Sequence, residues 1–347
     1  MKTKKLKFII LFFGTVFLAS CSESLYTSLD VLRPAKVAFA KNANNLLIVN
    51  NTTKQPDNLG HRTDLLDQKT KSVSIETDSI PLFCLSSLAE ELDSKGFFTN
   101  VRFKQDSQNT STNFSIINPI EKDSINQLCS ANQADVVLSL DKIKVNDDIS
   151  EYYLNQSSSF LGVLEVRYES YWSIHYPDTS ESTQIQFKDT LFWESASYTR
   201  KDGISQLPKR MDGIIDGALY VGKKSVSRFL PYWDKADRYF YSNRNKYIKQ
   251  GLDSVYTKNW KSAISSWEKA LKSKSYSTQY KAANNIAVAY EISGNIDKAI
   301  EYASFAYAAI GKSYAFEYKT LIHLLEYLEE LQVRQKEIKT LKEQLGE

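Results

Sequence analysis

One segment has the composition of a phosphate cradle: Gly217 to Ser225, GALYVGKKS. A phosphate loop needs glycine backbone around the anion and a hydroxyl directly after the lysine to hold magnesium. Here Lys224 separates Lys223 from Ser225, and the segment lies inside a helical pattern rather than after a strand, so it fails on both counts. No H-E-x-x-H, no cysteine pair at zinc spacing and no G-x-S-x-G occurs. His61, His175 and His323 are scattered over loop, strand and helix, as packed or surface histidines are. Asp147, Asp148 and Glu194 would suit acid–base chemistry if they met, but nothing in their spacing brings them together. The sequence therefore predicts no enzyme, no catalytic residue, no metal site and no cofactor. Cys84 and Cys129 leave two readings open. In an oxidising compartment they would bridge; otherwise they are two small buried apolar residues.

The chemistry the sequence does support is acylation. Lys2, Lys4, Lys5 and Lys7 form a basic head, and an apolar run of 12 residues follows from Phe8 to Ala19, broken only by Gly14 and Thr15. That is too short to span a bilayer, which takes ~20 residues, and it reads as a signal peptide. It ends in Leu18-Ala19-Ser20-Cys21, which resembles the bacterial lipobox: a branched residue, two small ones for the peptidase, then a thiol that accepts diacylglycerol. Lipidation is expected at Cys21, and several acyl chains anchor a protein stably. Ser22 follows where Asp would retain the protein in the inner membrane, so an outer-membrane location is expected. Removing the signal peptide lowers Lys+Arg from 44 to 40 against 41 Asp+Glu, a net charge of −1. That is no footprint for nucleic acid.

The elements that follow suggest two kinds of domain. Val31 to Phe39, VLRPAKVAF, is an edge strand or extended arm because of Pro34. Leu46 to Val49 is a short buried strand. Asn50 to Ser74 is polar and reads as a loop. Ile80 to Lys95 reads as a helix with Pro81 in its first turn and Gly96 after it. Strand (Val101, Phe103), helix (123–131), strand (134–143) and a long hairpin (161–176 with 183–195) follow, then a helix from Leu207 to Leu230. This order predicts a mixed sheet with helices packed on it. The aromatic stretch Tyr232, Trp233, Tyr239, Phe240, Tyr241 is either interdomain core or a binding platform.

The C-terminal third repeats. Trp260-x-x-Ala263-x-x-x-Trp267-x-x-Ala270 is followed by Ile296-x-x-Ala299-x-x-x-Ala303-x-x-Ala306, an offset of 299 − 263 = 36. This resembles the tetratricopeptide repeat, whose period is ~34. Tyr290 and Gly294 fall at matching positions of the second unit, and Lys258-Asn259 stands where the first unit would have its turn glycine. The small residues imply close helix crossings, with Trp260 and Trp267 filling the grooves beside them. From Tyr314 to Leu345 the apolar spacing forms a heptad seam of moderate quality. It implies a cap on the repeats, with a homo-oligomer through this helix as the rival.

The expected class is thus α+β: a signal peptide (1–20), a tether and arm (21–44), a mixed-sheet α/β domain (45–233), tetratricopeptide-like repeats (234–312) and a capping helix (313–347). The element order over 45–230 resembles the α/β domain of the curli secretion channel subunit and of the lipoprotein activators of penicillin-binding proteins; the N-terminal domain of the Tol periplasmic protein is similar. The stretches VLRPAKVAF, FLPYWDKADRYFY, NWKSAISSWEKAL and AANNIAVAYEISGNIDKAIEYA resemble a family of envelope lipoproteins with a C-terminal repeat region and no established activity. The expected function is non-enzymatic: binding another envelope protein as a scaffold or assembly factor, through a concave face carrying Asn245, Ile248, Lys281, Asn284 and Glu291. The alternative is a carbohydrate- or solute-binding lipoprotein of an outer-membrane uptake system, which exposed Trp or Tyr lining a cleft would favour.

Overall fold

The computed structural model describes residues 25–346, apart from 178, 180, 181 and 315. Cys21 lies outside the described residues. In chain order the elements are β1 (Leu25–Arg33), β2 (Asn45–Asn50), β3 (His61–Asp64), β4 (Lys71–Ser72), α1 (Ile80–Ser94), β5 (Asn100–Lys104), α2 (Lys122–Asn132), β6 (Val136–Leu154), β7 (Ser159–His175) and β8 (Thr183–Ser197). Then follow α3 (Arg200–Ser205), α4 (Arg210–Phe229), β9 (Tyr232–Phe240), α5 (Lys246–Tyr256), α6 (Trp260–Leu271), α7 (Tyr276–Ile292), α8 (Ile296–Ile310) and α9 (Tyr318–Leu345). The class is α+β, a mixed sheet with helices followed by an all-helical region. The chain divides into two compact units: Pro34–Tyr232 with Leu341–Glu347, and the segment up to Arg33 with Trp233–Thr340.

The first of these units is built on seven strands. β2 lies between β5 and β6, parallel to both. β6 pairs along its length with antiparallel β7, which in turn pairs with β8, and β3 pairs parallel with the later part of β6. Alternate residues of β2 face opposite ways. Leu46 and Ile48 join α1 and α4 in one core; Leu47 and Val49 join α2 in another. Cys84 of α1 belongs to the first core and Cys129 of α2 to the second, so the sheet separates them and the bridge considered between them is not made. Burial, with a smaller contribution from Asp189, pushes the Cys84 thiol up to about 12.

Two differences from the sequence reading have physical causes. The stretch 50–74 is not only loop. Its polar letters conceal β3, whose His61 packs wholly buried against Asp147 of β6, Nδ1 to Oδ1 at 2.5 Å. β6 also runs on to Leu154, well beyond the expected end at 143, because β7 pairs with it to the last residue. The glycines that mimicked a phosphate loop lie in the middle of α4. A Cβ on Gly217 would meet the Tyr168 hydroxyl at 2.6 Å, and one on Gly222 would meet the Cys84 carbonyl oxygen at 2.0 Å. They permit α4 to lie directly on α1 and the sheet.

In the second unit, β1 and β9 form a two-stranded sheet beside α5–α9. β1 therefore takes in most of the stretch expected as a tether and the first residues of the expected edge strand or arm. Ala263, Ala270, Ala299 and Ala306 are all fully buried, as small residues at helix crossings must be. The Trp267 indole fills the space that a Cβ on Gly251 would need, and its Nε1 donates to the Ile248 carbonyl at 3.2 Å. Phe240 of β9 stacks on both Trp267 and Trp260, at 5.6 Å and 6.2 Å between ring centroids. Tyr290 stacks on Tyr302. Gly294 turns between α7 and α8 at φ +79°, while Lys258 adopts φ +55° at the corresponding turn between α5 and α6. Two leucines of the α9 heptad seam, Leu324 and Leu331, are buried in the cores of this unit, as is Tyr327 between them, while Leu345 at the end of the seam is exposed.

Candidate functional site

The helical unit contains a cleft built on the end of β9. Side-chain amides of α7 hold that end in place. Asn285 accepts from the Tyr241 amide (2.7 Å) and donates to the Tyr241 carbonyl (2.8 Å), and Asn284 donates to the Tyr239 carbonyl (2.8 Å). These amides do for β9 what a neighbouring strand would do. Tyr239 and Tyr241 are thereby fixed facing Tyr26 of β1, Tyr280 of α7, His323 of α9 and Phe316 just before α9, and the space between them is about 620 Å³. A second cavity of about 200 Å³ adjoins it, sharing Tyr239, Tyr241 and His323.

The rings are ordered by contact. Tyr239 stacks on His323 (5.4 Å, 13°), Tyr26 meets Tyr239 edge-on at 4.6 Å, and Tyr241 meets Tyr280 edge-on at 6.2 Å. Tyr26 and Phe316 keep much of their surface exposed, at 64% and 40%. Burial raises the pKa of Tyr241 and of Tyr280, so both are neutral hydrogen-bonding phenols. Lys281 is half-buried and donates to the Ser242 carbonyl at 3.2 Å; burial lowers its pKa and Glu317 opposes that shift. The cleft therefore offers ring faces beside hydroxyl, ammonium and carboxylate groups.

Beside the smaller cavity lies a buried ionic network. Glu291 has no exposed side-chain surface. It accepts two hydrogen bonds from Arg238 (2.7 and 2.8 Å), one from the Tyr327 hydroxyl (2.9 Å) and one from Arg334. Glu330 pairs with Arg238 at 2.8 Å and with Arg33 at 3.2 Å, and Arg33 also reaches Glu337 and Asp234. Burial alone would depress the Arg238 guanidinium, but Glu291 and Glu330 outweigh it and raise its pKa.

This arrangement corrects the expected recognition face. Ile248, Asn284 and Glu291 are buried within the unit, and Asn245 caps α5 by accepting from the Tyr247 amide. Ile248 and Glu291 do not line an open groove, because Phe240 and Arg238 of β9 and Tyr327 of α9 pack with or bond to them. Lys281 lines the larger cleft and Asn284 the smaller cavity. Tyr26, Tyr280 and Asn285 contribute without any motif in the sequence to signal them.

Polar residues in the other unit are arranged differently. Asp141 sits at a β-bulge in β6 and accepts from Asn51 (2.8 Å), Ser139 (2.8 Å) and Ser173 (2.5 Å); burial raises its pKa. His175 Nε2 lies 3.1 Å from the Ser139 hydroxyl. A nucleophile would need its carboxylate on the histidine; here the carboxylate holds the two serines. Asp147 pairs with His61 and Arg210, and Asp148 with Arg62 and Arg167, so these two and Glu194 form no carboxylate cluster. Among the described residues, no group of three or more His, Cys, Asp or Glu is placed to hold a metal ion. Among them, too, no helix is long and apolar enough to cross a membrane.

The chain belongs to the family described as domain of unknown function DUF8603, which matches residues 43–241, more than half of its length. A second, domain of unknown function DUF6340, matches residues 249–333. No curated protein matches the chain. Among solved structures it is similar to a neuraminyllactose-binding hemagglutinin homolog from Helicobacter pylori (11% identity, 57% of this chain, 90% of that one, TM-score 0.28). It is similar also to lipoprotein GNA1162 from Neisseria meningitidis (12% identity, 51% and 94%, TM-score 0.20) and to an uncharacterized protein (10%, 56% and 97%, 0.23).

Proposed function

We propose that this protein is a lipid-anchored, non-enzymatic binding protein of the bacterial envelope that holds a small sugar-like solute in the aromatic cleft of its helical unit. The observation that carries this reading is the cleft of about 620 Å³ walled by Tyr26, Tyr239, Tyr241, Tyr280, Phe316 and His323. Its volume falls in the range of small-molecule sites, ~300–1,000 Å³. Sugars present C–H faces to aromatic rings and hydroxyl edges to polar groups, and Lys281, Glu317 and the phenols supply the latter. The helix pairs resemble tetratricopeptide repeats, but the inner faces such repeats use for a partner protein are occupied here by β9 and α9. Solute binding is therefore favoured over a scaffold role.

Full-length protein in detergent, titrated calorimetrically with a panel of neutral mono- and disaccharides, tests the reading. At least one member should bind, and Tyr26→Ala with Phe316→Ala should weaken it at least tenfold, ~1.4 kcal/mol. Both side chains are exposed, so the fold should be unaffected. A panel without a binder, or binding indifferent to the double variant, would refute the reading. Anchoring rests on the Leu18-Ala19-Ser20-Cys21 junction and has its own test: Cys21→Ala should abolish incorporation of labelled palmitate and leave the signal peptide uncleaved.

A further inference from the structure

In the sheet of the α/β unit, β8 lies at an edge whose outer side is bare. It pairs with β7 from Ile174 opposite Thr183 to Phe160 opposite Ser197 without a register shift, and among the described residues none of its backbone groups bonds to anything else. The strand is 15 residues long, against ~5–6 for the commonest strands. Proteins usually blunt such an edge with proline, a bulge, a short strand or a charge aimed inward, because a free row of N–H and C=O groups recruits other chains. β8 has no proline, no glycine and no bulge. Its one inward charge, Asp189, is taken up within the unit by Arg228 at 2.6 Å and Lys224 at 3.0 Å.

The two faces of the strand differ. Phe187, Asp189, Leu191 and Trp193 point towards the core, while Lys188, Thr190, Phe192 and Glu194 form an exposed row on the other face. Phe192 keeps 65% of its surface exposed. Among the described residues Glu194 has no ion pair, and Lys188 has one long contact, 3.9 Å to Glu169. Lys188 and Glu194 stand equally far from Leu191, one on each side of it.

We infer that β8 pairs antiparallel with β8 of a second copy of this chain, about a two-fold axis through Leu191. A strand edge turned about such an axis is complementary to itself. Opposed residues of an antiparallel pair share a face, and a slip of one residue would exchange the faces. Of the registers left, the one centred on Leu191 sets Lys188 opposite Glu194 on both sides of the axis. It also sets Thr190 opposite Phe192 and brings the two Phe192 rings diagonal to each other, within the ~7–8 Å that aromatic side chains bridge. On the inner face Leu191, partly buried against the core, meets its own copy. One register thus gives partners to the free backbone row, both charges and the exposed ring. A foreign strand would have to supply an acid and a base at this same separation; the chain carries them already.

Sedimentation velocity of the full-length protein in density-matched detergent tests this across a dilution series. The protein should pass from dimer to monomer on dilution. Lys188→Glu and Glu194→Lys should each weaken the dimer at least tenfold, ~1.4 kcal/mol, because each sets like charges opposite one another at two places. The two substitutions together should restore it, since they exchange the ends of both pairs, and that recovery also shows that the substituted chains fold. Chains carrying Thr190→Cys, mixed with chains carrying Phe192→Cys, should form an intermolecular disulfide under mild oxidation, and Thr190→Cys chains alone should form none. A monomer at every concentration, a dimer indifferent to the single substitutions, or a double variant that stays as weak as the single ones overturns the inference. A dimer held by α9 instead would give the second of these results.

Discussion

Glu291→Gln is expected to destabilise the helical unit by about 3–5 kcal/mol, the usual cost of removing one partner from a buried ion pair. The carboxylate faces Arg238, Arg334 and Tyr327 with no exposed side-chain surface. A neutral amide would leave two guanidinium groups with only Glu330 to offset them, and it would oppose one N–H to another. Hydrogen exchange of the α7 amides around Ala287 and Val288 reads the effect locally, without interference from the α/β unit. Removing Arg238 together with Glu291 should cost less than the sum of the two single changes, because the groups share one network. Additive effects would mean that the two side chains are not coupled.

Gly222→Ala should be the most damaging single-methyl substitution in the α/β unit. The new Cβ would stand 2.0 Å from the Cys84 carbonyl oxygen and 3.1 Å from the Leu88 amide nitrogen. These are backbone atoms inside α1 and cannot rotate away. The helix must move, and Cys84, Leu85, Leu88 and Val221 would separate with it. Overpacking typically costs 1–3 kcal/mol, and this position should lie at or above the upper end, about 3 kcal/mol. Alanine is the better helix former, so a neutral or raised unfolding midpoint in urea would show that α1 and α4 are not in close contact.

Much of the scaffold was legible because its signals are local. Leu46 to Val49, the Pro81 helix start and the 163–193 alternation each declare an element within a few residues. Ala263 and Ala299 declare their crossings through a spacing that only packed helices require. β9 was not legible as a strand because its inward row is Ala236, Arg238, Phe240, and an arginine in the middle of the row breaks the apolar alternation. Arg238 is buried only because Glu291, 53 residues away, meets it. The aromatic cleft was legible only in part: Tyr239 and Tyr241 belong to the aromatic stretch that offers a binding platform, but Tyr26, Tyr280 and His323, which complete the walls, are tied to it by no spacing rule. The expected recognition face failed at this step too: the repeat pattern identifies which residues point inward, but not that β9 would already lie against them.

The pairing of β1 with β9 also sets an order in time. Between Arg33 and Tyr232 lie 198 residues (232 − 33 − 1), the whole of the α/β unit but its last few residues. At a synthesis rate of ~5–20 residues per second, β1 leaves the ribosome on the order of 10–40 s before its partner exists. Until then its backbone presents an unpaired strand edge, the kind of surface that recruits other chains. The helical unit is thus begun before the α/β unit and closed only after nearly all of that unit has been made. A chain stalled or truncated just before Tyr232 would hold most of its α/β unit while still exposing a strand with nothing to close it.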